Sequence, residues 1–86
     1  MDNALMNTAA SNFDRAQWVG GSERMGLVML GLTQAARAMR ESGRDSALLD
    51  VAARNFNAGA FESDAERQLQ LMTLGLTQFA RGLKGR

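Results

Sequence analysis

Leu27-Val-Met-Leu-Gly-Leu-Thr-Gln-Ala-Ala-Arg-Ala-Met-Arg40 returns 44 positions later as Leu71-Met-Thr-Leu-Gly-Leu-Thr-Gln-Phe-Ala-Arg-Gly-Leu-Lys84, with Leu-Gly-Leu-Thr-Gln unbroken in both. A long internal match in a short chain means two similar supersecondary units packed together. The likeness extends outward at a shift of 43. Asn12-Phe13 matches Asn55-Phe56, Trp18 matches Phe61, and Glu23-Arg24 matches Glu66-Arg67, so one residue is gained before Leu71. Each unit reads as a short helix, a turn with an aromatic beside it, and a longer helix. The expected fold is therefore all-α: a four-helix domain of two tandem helical hairpins with pseudo-twofold symmetry, one domain over residues 1–86, with repeat one at about 3–41 and repeat two at about 45–83.

Apolar residues recur at three- and four-residue spacing and hardly ever alternate, which favours helices over strands. The first helix, about Asn3 to Gln17, places Leu5, Ala9, Phe13 and Ala16 on one stripe before Gly20-Gly21 breaks it. Ser22 is the expected cap of the second helix, which runs to about Glu41 and ends at Gly43. Asp45 or Ser46 opens the third, with Leu49, Ala52, Ala53 and Phe56 inward and Ala58-Gly59 closing it. Ser63 and Glu66 have capping-box spacing for the fourth, which ends near Leu83.

At 100° per residue, Val28, Leu32, Ala35 and Met39 share one stripe of the second helix, and Met72, Leu76, Phe79 and Leu83 share the matching stripe of the fourth. These are the expected core. Thr33, Arg37 and Arg40, with Thr77, Arg81 and Lys84, fall opposite and are expected in solvent. Small residues repeat at one edge of the apolar arc: Gly31 and Ala38, matched by Gly75 and Gly82. Gly in a helix interior costs roughly 1 kcal/mol relative to Ala, so its repetition calls for close helix approach. The expectation is that the second and fourth helices cross near Gly31 and Gly75. Leu30 and Leu74 point toward the polar side, which suggests a contact surface formed by Leu27, Leu30 and Gln34, or by Leu71, Leu74 and Gln78.

The chemistry a catalyst would need is sparse. The 86 residues include no Cys and no His, which removes the commonest metal ligands and the usual base near neutral pH. The carboxylate pairs Asp45 with Asp50 and Asp64 with Glu66 sit at helix starts, where capping accounts for them. Val19-Gly20-Gly21-Ser22 lacks the Lys and the spacing of a phosphate loop. No enzyme, no cofactor and no metal site is expected.

The formal net charge of +1 is too balanced to imply a polyanionic partner by itself. Arg37, Arg40 and Arg44, with Arg81, Lys84 and Arg86, nevertheless cluster at the ends of equivalent helices. They support a small nucleic-acid-binding regulator as the alternative, although basic residues also suit helix C-termini. The N-terminus is no secretory signal, and the uncharged runs are short of the ~20 residues of a membrane helix. A cytoplasmic location is expected, with export by a signal-less route as the other possibility. A chain this small often gains stability by assembly. The favoured expectation is a non-enzymatic protein–protein interaction module, self-associating as a homo-dimer or larger, or acting as an adaptor, chaperone or inhibitor of one specific partner.

Overall fold

A computed structural model describes residues 3–40 and 45–84, and the loop 41–44, including Gly43 and Arg44, lies outside the described residues with Arg86. Four helices follow one another: α1 Asn3–Ala16, α2 Gly21–Met39, α3 Ser46–Ala60 and α4 Ala65–Lys84. Among the described residues there is no strand. The two hairpins expected from the repeat are α1 with α2 and α3 with α4.

Each hairpin is held by the same two contacts. Gly31 lies against the ring of Phe13, so close that a Cβ there would come within 2.6 Å of Phe13 Cε1, and Gly75 lies against Phe56, with 2.5 Å to its Cε1. Beside each ring a carboxamide pair closes the seam: Asn12 Nδ2 donates to Gln34 Oε1 at 2.8 Å, and Asn55 Nδ2 donates to Gln78 Oε1 at 2.7 Å. A half-buried amide pair of this kind satisfies polar groups that would otherwise be costly to cover, and it fixes the register of the two helices. The small residues therefore do mark close approaches, but within each hairpin. The expected crossing of α2 and α4 at Gly31 and Gly75 is corrected accordingly; Gly82 meets Leu49 of α3, and Ala38 is fully buried.

Equivalence of the hairpins also shows where the extra residue lies. Arg24 Nε donates to the Ala16 carbonyl at 3.0 Å, and the same place in the second hairpin is taken by Gln68, whose Nε2 donates to the Gly59 carbonyl at 3.0 Å. Gln68, not Arg67, is the counterpart of Arg24. The gain falls at the end of α3, so the match of Glu23-Arg24 with Glu66-Arg67 is one of letters only.

The helix ends differ from expectation for local reasons. Gly20, not Ser22, is the N-cap of α2 and, having no side chain, gives no side-chain cap; Gly21 takes φ +59°, a left-handed conformation Gly adopts freely, and starts the helix ahead of Ser22. At α4 the capping box does not form: Asp64 Oδ1 accepts from the Glu66 amide, while Glu62 accepts from Ser63 and Asp64 and pairs with Arg67 at 3.2 Å. Asp45 caps α3 as expected, accepting from Leu48 N. That helix continues past Gly59 to Ala60, with Phe61 as its C-cap, and Met29 and Leu71 lie close against bare Gly59.

The hairpins dock through α2 and α3, with a marginal touch between α2 and α4 and none between α1 and either α3 or α4. A twofold carrying α1 to α3 and α2 to α4 would also carry the α2–α3 interface onto α4 and α1, which do not meet. The twofold likeness is thus one of hairpin interiors and does not extend to their docking. The described residues span about 35 × 25 × 15 Å, with α4 packed on α3 and only touching α2.

Docking uses the side of α2 opposite α1. Met29, about 160° around the helix from Gly31, fills the space over Gly59 and is wholly buried with Ala52 and Phe56 in the central cluster. Thr33 is buried on that same side, which corrects the expectation that it is solvated. Its hydroxyl donates to its own helix at the Met29 carbonyl, so its polarity is already satisfied and α3 can cover it.

Candidate interaction surfaces

Where α3 covers α2, nothing covers the equivalent side of α4. There Thr73, Thr77 and Ala80 stand where α2 has Met29, Thr33 and Ala36, and all three are exposed. At the other end of the row, α1 presents exposed Asn7, Ala10 and Asp14 at the positions by which α3 meets α2. Both ends of the repeat are polar, as terminal repeats of a stacked array must be.

The apolar stripes read from the sequence as core have a different fate. They occupy the flanks of the hairpin seams and only partly reach the interior. Ala35 is buried, and Leu32, Met72 and Phe79 pack against the central cluster, but Val28, Met39 and Leu83 stay half-exposed and Leu76 is 43% exposed. Leu69, 57% exposed, extends the stripe toward the start of α4. The result on α4 is Leu69, Met72, Leu76, Phe79 and Leu83, spaced alternately by three and four residues over ~21 Å of helix. Beside α2, Phe13, Ala16, Gln17, Arg24 and Val28 line a shallow cleft of about 510 Å³.

The surface expected at Leu27, Leu30, Gln34, Leu71, Leu74 and Gln78 is largely used up inside the hairpins. Leu27 is buried, Leu71 packs against the central cluster, and Gln34 and Gln78 are held by Asn12 and Asn55. Leu30 is half-buried, which leaves Leu74 as the exposed member, about 160° around α4 from Leu76.

The C-terminal ends of α2 and α4 lie at one end of the molecule, because α2, α3 and α4 alternate in direction. Arg37 and Arg40 line a pocket of about 310 Å³ with Asp50, Ala53 and Arg54 at the seam of α2 and α3. Arg81 and Lys84 are exposed on α4 and do not line it. Arg54 was not singled out from sequence, since it stands alone on its helix and joins the others only across the seam. At the opposite end the two turns each carry an exposed aromatic, Trp18 and Phe61.

Among the described residues no group of three or more acidic side chains could hold a metal ion, and no helix is long and apolar enough to cross a membrane. Compared with protein-family models, with curated proteins and with solved structures, the chain matches none.

Proposed function

We propose that the chain is a non-enzymatic protein-binding module whose first partner is a second copy of itself. The observation that carries this reading is the stripe of α4: large apolar side chains with heptad spacing, of which Leu69 and Leu76 are exposed, on a helix packed closely against α3 alone. Such spacing is self-complementary when two helices pack antiparallel about a twofold axis. With the axis at Leu76, Leu69 of one copy faces Leu83 of the other, and exposed Ala80 lets the backbones come close.

Charge supports the same occupant. Glu66 lies in the first turn of α4, and Arg81 and Lys84 lie in the last, so an antiparallel pair sets unlike charges together at both ends. The polar ends of the hairpin row disfavour head-to-tail growth, so a closed dimer is expected and a filament is not. An adaptor, chaperone or inhibitor would use the same stripe on a different chain.

Sedimentation across micromolar to millimolar concentration tests the proposal. The wild type should dimerise, and Leu69→Glu with Leu76→Glu should raise the dissociation constant ~100-fold or more, because burying unpaired carboxylates costs about several kcal/mol. Both positions are exposed within the monomer, so helicity should persist. A wild type that stays monomeric throughout, or a double variant that dimerises as well as it does, contradicts self-association.

A further inference from the structure

We infer that the seam between α2 and α3 holds a site for a small phosphate-type dianion, on grounds independent of the dimer. Arg37 and Arg40 from α2 and Arg54 from α3 converge on one pocket of about 310 Å³ floored by buried Ala53. All three side chains are exposed; Arg37 and Arg40 also complement the C-terminal end of α2, whereas Arg54 joins them from the middle of α3. The single carboxylate there, Asp50, is engaged with Arg40 at 3.3 Å, while Arg37 and Arg54 have no ion-pair partner among the described residues. The lining thus carries two uncompensated positive charges.

The chemistry fits a tetrahedral dianion. A guanidinium offers paired N–H donors in a planar fork that matches phosphate oxygens, and such charge-assisted bonds are stronger than neutral ones. The Arg40–Asp50 pair is half exposed and biases the position of that side chain only weakly. A concave site on one seam suits a phosphorylated small molecule better than a long polyanion, which needs a basic stripe; Arg81 and Lys84 lie outside the pocket and the chain's net charge is only +1.

Titration of the arginine Nε–H signals with inorganic phosphate, at constant ionic strength set by chloride, is the test. Saturable shifts confined to Arg37, Arg40 and Arg54 are expected, with affinity falling about tenfold or more in Arg37→Gln and in Arg54→Gln. Arg81→Gln removes the same charge elsewhere and should leave binding unchanged. Melting without ligand confirms that each variant is folded, as exposed positions allow. The inference is overturned by shifts that do not saturate, by equal weakening in Arg81→Gln, or by acetate binding as well as phosphate. Duplex DNA engaging these arginines while phosphate does not would also overturn it, and would assign the pocket to nucleic acid.

Discussion

Replacing Phe56 with alanine is expected to remove about 3–5 kcal/mol, the usual loss for a fully buried phenylalanine. Phe56 has no exposed surface, sits at the meeting of α2, α3 and α4, and stacks edge-on against Phe79 with ring centroids 6.0 Å apart. A chain of 86 residues has about 4–13 kcal/mol of total stability, so the loss is a large share of it and unfolds the variant if the wild type lies at the low end. Phe13 occupies the same place in the first hairpin, yet it is 37% exposed because no third hairpin covers it. Phe13→Ala should therefore cost only roughly 1–2 kcal/mol. Denaturant melts followed by circular dichroism compare the two, and equal losses would contradict the packing described.

The second large effect concerns the glycine under that ring. Gly75→Leu should cost about 3 kcal/mol or more, since even a Cβ would come 2.5 Å from Phe56, a ring with no free space to enter. Gly75→Ala should still destabilise, because the gain of roughly 1 kcal/mol in helix propensity is smaller than the overpacking it causes. Gly31→Ala meets Phe13 at a similar distance, but Phe13 can swing toward solvent, so that variant should stay within ~1 kcal/mol of wild type. The same substitution in two copies of one motif thus reads how rigidly each ring is held. A Gly75→Ala melt equal to or above the Gly31→Ala melt would contradict it.

Periodicity and repetition made the four helices, the hairpin pairing and the inward face of α3 legible from the residues alone. They also marked Gly31 and Gly75 as places of close approach. What periodicity does not carry is the identity of the neighbour. A strip of small residues shows that something comes near, and Phe13 and Phe56, on the preceding helix of each hairpin, turned out to be what does. Thr33 was read as solvated because a hydroxyl is polar, although its bond to the Met29 carbonyl hides that polarity. Leu76 was read as core because an apolar stripe indicates a face, while only the order of docking shows that α4 has one large neighbour. Arg54 gave no signal at all, since its companions lie across a seam.

The open stripe of α4 is the centre of the functional account, and the absence of cysteine from the chain allows a direct test. In the proposed dimer Leu76 lies at the twofold axis, where two Cα atoms can come within the ~7 Å that a disulfide requires. Mild oxidation of Leu76→Cys should give a disulfide-linked dimer in good yield, while Leu74→Cys, on the far side of the same helix, should remain monomeric. Efficient cross-linking at position 74 with none at position 76 would contradict the account.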